Sequence, residues 1–590
     1  MKKVLSRALA MAMGFALVSC NEQKEPVEPV YEYFQVLTPE SELSLPADVE
    51  GEATLEVKVK ADYPEFDVTV DGEWLTYVPA TTKAEADAVE SVLKFTYTSN
   101  DVYEVRTATV TVTSKETELA QFVVSQAAKM SEEIKPVWVY KVAEGTSAKM
   151  EGLHPAVDAA GNVYVTESTT TSLYKILPDG TLGWTISMVP TAESADPFSG
   201  QFSVPSIEAD GSVVYAGGGS SGNGCYFAIN AADGSMKWEF SSDKFWAANG
   251  AIPAPKINRI NAAIGEKCIY IGNGGTTGTA LAINKTTGER VSYVSNKTDG
   301  TGGPAGGCNS GLSVTKNGMV MFRGSYGAFS VNTASMDNAG EAGYVPFGAQ
   351  YRDKSMTTHN ANIACFTMDG KDYYTFFGAT DAGMNVIWGP INATDELASY
   401  QSDGAPTWTT HQIAGAKKQD QGGVVIGPRN EIIVSLKNNS TVPGGVYAVD
   451  PATNKMAWRY EINVDCAGTP AVDKAGNVHV IDDAGTYYIL KPNYETQSAE
   501  LLKSASLKDI YAEVHNHTWG EGHVCKAYGT VIIGNDGKMY CSVFFRDNNN
   551  NKTALLSAVY CLESGLCKGV GDTPWPLKNA DCRNSGNQVK

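Results

Sequence analysis

Apolar and polar positions alternate in short runs along most of this chain, and glycine-bearing turns interrupt the runs. The stretch SVPSIEADGSVVYAGGGSSGNGCYFAINAADGSMKWEF, from Ser203 to Phe240, carries the pattern most plainly. It predicts four strands, at Val204–Ala209, Ser212–Ala216, Cys225–Asn230 and Ser235–Phe240. Asp210-Gly211 and Asp233-Gly234 supply tight turns, because glycine takes positive φ without a steric penalty. A loop of Gly, Ser and Asn joins the middle pair. Related units recur at His154–Trp184, Ile252–Val294, Asn309–Thr333, Asn360 to about Trp388, Gln421–Ile462, Cys466–Leu502 and Cys525–Gly565, so the pattern predicts eight. The fifth is the least regular. One such unit cannot bury both its faces, and stacking several around an axis would make the core.

Residues 34–129 show a different all-β pattern. Leu55-Glu56-Val57-Lys58-Val59-Lys60 alternates strictly, as does Thr107–Thr113, which predicts strands with one buried and one wet face. Trp74-Leu75, the Arg106-led strand and a last strand ending at Gln126 resemble, in that order, the BACON domain, an immunoglobulin-like sandwich. That family name implies carbohydrate binding, although many members look like spacers. Trp74 beside Leu75 in so small a sandwich reads first as core.

The recurring pattern PAVDxxGNVYV followed by YALDxxTGxxxW resembles the quinoprotein alcohol dehydrogenase-like propeller, whose blades commonly number eight. Trp184, Trp238 and Trp458 match that family's fourth-strand tryptophan, and the tail Pro574–Gly586 resembles a segment seen beside such repeats. The expected fold class is therefore all-β: an immunoglobulin-like sandwich at 34–129 and an eight-bladed β-propeller over 136–590. Repeat tryptophans are architectural in this reading.

The N-terminus is not fold. Lys2, Lys3 and Arg7 precede the apolar run Ala8–Val18, a secretory signal over residues 1–19. Leu17-Val18-Ser19-Cys20 resembles a bacterial lipobox, which implies cleavage before Cys20 and lipid on its thiol. Asn21-Glu22-Gln23-Lys24-Glu25 resembles the export tags of surface lipoproteins in the Bacteroidetes. The implied location is the outer membrane, lipid-anchored and facing outside the cell, with residues 20–33 as a spacer. Acidic residues exceed basic ones, 66 against 46, which argues against a nucleic-acid partner. Ten cysteines remain after Cys20. Disulfides are allowed in an oxidising envelope, but spacing does not pair them, and buried free thiols are an equal reading.

Strand parity locates a candidate site. First-to-second and third-to-fourth turns share one face, and second-to-third loops share the other with the links between units. The second set reads as long, and long loops on a rigid scaffold are where binding concentrates. The links carry Trp246, Tyr351, Arg352, His359, Trp408, His411, His515, His517 and Trp519. Flat rings offer C–H/π platforms to sugar faces, and planar polar groups take paired hydroxyls. The nine residues are the candidate ligand-binding set, with Trp246, Trp408 and Trp519 expected on one rim. His515-Asn516-His517-Thr518-Trp519-Gly520-Glu521-Gly522-His523 is the densest polar cluster; a loop gives it no fixed metal-binding face, so neither metal nor cofactor is expected. No adjacent cysteine pair occurs, which argues against a quinone cofactor. No carboxylate pair or GxSxG motif singles out a catalytic centre.

The favoured function is a non-catalytic surface lipoprotein that captures polysaccharide or oligosaccharide beside an outer-membrane transporter. The alternatives are a propeller scaffold for protein assembly and a polysaccharide lyase or hydrolase.

Overall fold

The computed structural model describes residues 34–49, 51–61, 66–79, 89–114, 117–145, 155–167, 172–188, 203–218, 225–241, 261–272, 280–294, 311–324, 327–340, 343–345, 347–352, 362–391, 408–418, 422–527 and 530–588. The leader, Cys20, the spacer, Trp246 and His359 lie outside them. The chain divides into two units, Met1–Met130 and Ser131–Lys590.

The first unit is a sandwich of two four-stranded sheets. One orders its strands Phe34–Val36, Ala53–Ala61, Val89–Tyr97, Leu75–Val78; the other Ser44–Leu45, Thr117–Gln126, Arg106–Ser114, Asp67–Val70. Leu55, Val57, Val59 and Ala61 point inward, toward buried Phe95, Val110, Val112 and Val124. Gln126 is fully buried and fully used. Its amide donates to the Pro46, Ala47 and Thr98 carbonyls and its oxygen accepts from Arg106 Nε at 2.8 Å. The Arg106 guanidinium lies 4.7 Å over the Trp74 ring, which packs against the core cluster. Trp74 is thus half-buried between the core cluster and the Arg106 guanidinium.

In the second unit the described strands fall into groups of four, antiparallel within each group, with Tyr344–Val345 and His523–Lys526 as two further strands beside them. Seven are sequential: residues 156–187, 206–241, 263–294, 313–352, 364–414, 424–461 and 471–506. The last joins both ends of the unit. Its strands Ile532–Ile533, Met539–Asp547 and Thr553–Glu563 are completed by Lys135–Glu144, which runs antiparallel to Thr553–Glu563. Lys135–Glu144 is thus the outer strand of the final sheet and closes the ring, a role its sequence position conceals.

Neighbouring sheets are joined by one device used repeatedly. Trp138, Trp184 and Trp238, on outer strands, donate their indole N–H to carbonyls of the next sheet's third-to-fourth turn: Pro178, Ala231 and Lys285, at 3.0, 3.1 and 2.8 Å. Each ring covers a turn glycine. Gly180 has φ of 83°, and a Cβ there would lie 2.6 Å from Trp138 Cγ; Gly288 is confined in the same way beneath Trp238. Positive φ and the covering ring both demand glycine.

Two predicted boundaries are corrected. The fourth unit does not end at Thr333: a short helix, Thr333–Asp337, leads to a fourth strand at Gly348–Arg352. The fifth does not end at Trp388: Thr409–Ala414 pairs with Gly383–Pro390 as its fourth strand. In both, the connection to the last strand is long and lacks a Gly-turn signal, so local pattern reads that strand as part of a link.

The C-terminal tail fills the space where the first strands converge. Val157, Ile207, Ile264 and Val314 donate their N–H groups to the carbonyls of Cys582, Arg583, Ser585 and Gly586 at 2.7–2.9 Å. Ile426 and Val472 donate to Trp575 and Pro576 at 2.8 and 2.9 Å. Asn362 donates its side-chain amide to the Lys578 carbonyl, and Asn584 donates to the Pro155 and Pro205 carbonyls at 3.1 Å each. Trp575, Leu577, Ala580, Asn584 and Ser585 are fully buried. First strands this short, such as Ala156–Val157, leave inward N–H groups without a lateral partner, and the tail supplies the carbonyls. All nine described cysteines of this unit are free and buried.

Candidate functional site

The two ends of the sheets differ. At the turn face, first-to-second turns are tight, as at Asp158–Gly161 and Asp473–Gly476, and the tail lies against them. At the link face lie residues 437–444, 462–470, 482–485, 507–522 and 548–552.

The link after the seventh sheet is the most elaborate described part of that face. Its first half is a helix, Leu507–His515, not the open loop expected. Ser506 caps it by accepting the Asp509 N–H at 3.2 Å, and Asn516 ends it in the left-handed region at φ 47°. Leu507, Ile510 and Tyr511, spaced for one helix face, are buried. The following loop folds back on the helix, because the Trp519 indole N–H donates to the Lys508 carbonyl at 3.0 Å. Lys508 Nζ in turn donates to the His523 carbonyl at 2.5 Å, and the His523 ring accepts the Gly520 N–H at 3.1 Å.

These contacts gather rings into one cluster. Tyr511 lies 4.4 Å from His515, 5.4 Å from Trp519 and 5.3 Å from Phe545, centroid to centroid. Trp519 stacks on Phe545 at 4.3 Å, and His517 meets Trp519 edge-on at 4.3 Å. Tyr511 is buried, His517 and Trp519 are half-buried, and His515 is exposed. His515 is held below the ordinary histidine range: partial burial and the nearby Lys141 and His517 charges outweigh the opposing bond with Val139. The imidazoles of His515, His517 and His523 border the aromatic rings instead of converging on a point. Among the described residues, the group with metal-ligand spacing is Asp473, His479 and Cys567.

Of the nine predicted residues, His515, His517 and Trp519 therefore share one surface. Trp408 does not join them. It directly precedes the strand Thr409–Ala414, and Ile391, at the other end of that connection, donates its N–H to the Asp372 carbonyl beside the Asp369-Gly370 turn. Trp408 is thus at the turn face, opposite Trp519, and the single-rim expectation for the three tryptophans fails at this residue. His411 sits within the fourth strand of the fifth sheet. Its Nδ1 lies 3.0 Å from Asn454 Oδ1 and 3.2 Å from the Asn454 carbonyl, in the next sheet's third-to-fourth turn. It makes the same kind of sheet-to-sheet contact as Trp138, Trp184 and Trp238. Tyr351 and Arg352 end the fourth strand of the fourth sheet, their backbone paired with Ala328 and Gly327.

Asp483, in the link-face turn 482–485, went unnoticed in the sequence. It is nearly buried and accepts the Ala467 N–H at 2.9 Å. Burial, reinforced by Asp465, pushes its pKa up to about 6 against that bond and the Lys437 and Lys526 charges.

Residues 64–127 match the BACON family model, described as an N-terminal binding domain. Residues 124–352 match the PQQ_2 family model, described as outer membrane protein assembly factor BamB. None of the curated proteins matches the chain. Solved structures with a similar course include BamB from Moraxella catarrhalis, at 12% identity over 73% of this chain and 97% of that one, with a TM-score of 0.42. A europium-containing methanol dehydrogenase has 12% identity over 73% and 93%, with a TM-score of 0.46. A quinohemoprotein alcohol dehydrogenase from Comamonas testosteroni has 14% identity over 74% and 77%, with a TM-score of 0.47. The alternating sheets and the two family matches agree that this chain carries a BACON domain over residues 64–127 and a PQQ_2, BamB-like repeat region over residues 124–352.

Proposed function

We propose that this protein is a non-catalytic binding protein that holds a glycan on the link face of its propeller, at the surface formed by His515, His517 and Trp519 over the buried ring of Tyr511. The observation that carries the reading is the ring cluster, half-buried and bordered by exposed polar groups. Ring edges and faces suit the C–H-rich side of a pyranose. The exposed Asn516, Thr518 and Glu521 beside the imidazoles can take its hydroxyls. Lipid on Cys20 would hold the protein at the outer membrane, facing outside the cell and beside a polysaccharide transporter.

Affinity electrophoresis of the full chain across a polysaccharide panel tests this. At least one polymer is expected to retard the wild type and emerge uncut. A double variant, His515→Ala with His517→Ala, should migrate freely while keeping its circular dichroism. His515 is exposed and His517 is half-buried against Trp519, so the unchanged circular dichroism is what separates lost binding from lost fold. Cleavage of the polymer would instead favour the lyase or hydrolase reading.

The match to an assembly-factor family favours a second reading, a scaffold that binds protein. It predicts that no polysaccharide retards the chain.

A further inference from the structure

The first and seventh sheets contain the same carboxylate-centred turn, and one residue differs. In the first, Asp158 accepts the Asn162 N–H and side-chain amide at 2.9 Å each and the Tyr164 hydroxyl at 3.1 Å. In the seventh, Asp473 accepts the Asn477 N–H at 2.8 Å and its amide at 3.0 Å, but His479 stands where Tyr164 would. His479 Nε2 lies 3.0 Å from Asp473 Oδ2. The start of the tail brings a third group, Cys567, and the three donor atoms lie within 4.8 Å of one another. The Asp473 and His479 side chains are inaccessible to solvent, and Cys567 is nearly so.

The surroundings of His479 set its orientation. Its Nδ1 lies 3.1 Å from the Tyr487 hydroxyl. In the metal-free chain Nε2–H can donate to the carboxylate; on metal binding that proton leaves, Nδ1–H donates to the Tyr487 hydroxyl, and the Nε2 lone pair and Oδ2 both turn to the ion. A second ring nitrogen bonded to a hydroxyl and a carboxylate bonded to an amide are the supports that metal ligands need.

We propose that Asp473, His479 and Cys567 bind one divalent metal ion of the zinc class, tying the start of the tail to the seventh sheet. Nitrogen, thiolate sulfur and carboxylate oxygen together suit zinc. Tetrahedral zinc places such atoms roughly 3.3–3.6 Å apart, so His479 Nε2 and Asp473 Oδ2, now 3.0 Å apart, open by a few tenths of an ångström on binding. On binding, the Cys567 thiol releases its proton to solvent, and thiolate plus carboxylate balance the ion's two charges. Three protein donors leave one coordination position for another ligand.

The test uses the untagged full chain. Metal content is measured by mass spectrometry after dialysis, and the chain is then refolded with zinc or cobalt(II). The expected result is about one ion per chain, with a sulfur-to-cobalt charge-transfer band that Cys567→Ser abolishes. His479→Tyr restores the hydroxyl of the first sheet. It should fold with unchanged circular dichroism and hold no metal. Wild type that folds yet takes up neither ion overturns the proposal, as does His479→Tyr binding as much metal as wild type. Should His479→Tyr fail to fold, the wild-type cobalt titration decides alone.

Discussion

Trp238 joins two sheets through one bond and one covered glycine, so its substitutions separate packing from hydrogen bonding. Trp238→Ala should cost about 3–5 kcal/mol in urea unfolding, the range for a large buried ring. Trp238→Phe should cost less, chiefly the lost bond to the Lys285 carbonyl. Equal stability of wild type and Trp238→Ala would contradict the joint. Asp483 gives a pH-dependent prediction. Its folded pKa of about 6 lies above the ordinary aspartate value, so the fold favours the protonated carboxyl. That advantage is fully present below about pH 4 and is lost as pH rises through 6. Asp483→Asn keeps an acceptor for the Ala467 N–H and removes the charge. Relative to wild type it should gain up to about 3 kcal/mol between pH 4 and pH 7. An unchanged difference at the two pH values would contradict the burial argument. At this scale the architectural tryptophans were legible, because a ring after a turn glycine repeats at fixed spacing. His411 was not, because a histidine in a tryptophan's role looks like a ligand in sequence.

The helix Leu507–His515 shows what an element-level reading misses. Its apolar residues, Leu507, Ile510 and Tyr511, carry helical spacing, and Ser506 is a good cap. The surrounding β pattern and the neighbouring His-x-His drew the segment into a loop. Ser506→Ala should destabilise the helix by about 1 kcal/mol, read as faster amide exchange over residues 507–516. Unaltered exchange would mean that the loop and Trp519 hold the helix without its cap. The fourth strands of the fourth and fifth sheets escaped for a related reason. They follow long connections instead of Asp-Gly turns, so local chemistry does not announce them. Strand Lys135–Glu144 did carry a signal, Trp138 at the family's fourth-strand position. Its partner strand lies more than four hundred residues away in sequence, and local pattern does not reveal such pairing.

At the scale of the whole molecule, the sandwich and the repeating sheets followed from alternation and turns, whereas the axial tail did not. A tail that hydrogen-bonds first strands from six sheets has no periodicity of its own; its apolar residues are few and its contacts are mostly main chain. Truncation after Gly571 removes Trp575 and Leu577 from the core and leaves the first-strand N–H groups unpaired. The truncated chain should lose cooperative thermal unfolding. A melting temperature equal to that of the full chain would show the tail to be dispensable. The tail occupies the turn-face end of the first strands, and the long third-to-fourth connections of the fourth and fifth sheets lie on that same face, opposite the link face. No helix among the described residues is long and apolar enough to cross a membrane.

The most direct test of that division is hydrogen–deuterium exchange of the full chain with and without a polysaccharide that retards it. The account predicts slowed exchange over residues 507–526 and 547–552, and none in the turns at 158–162, 208–212 and 473–477. Protection confined to those turns, or absent from residues 507–526, would contradict it.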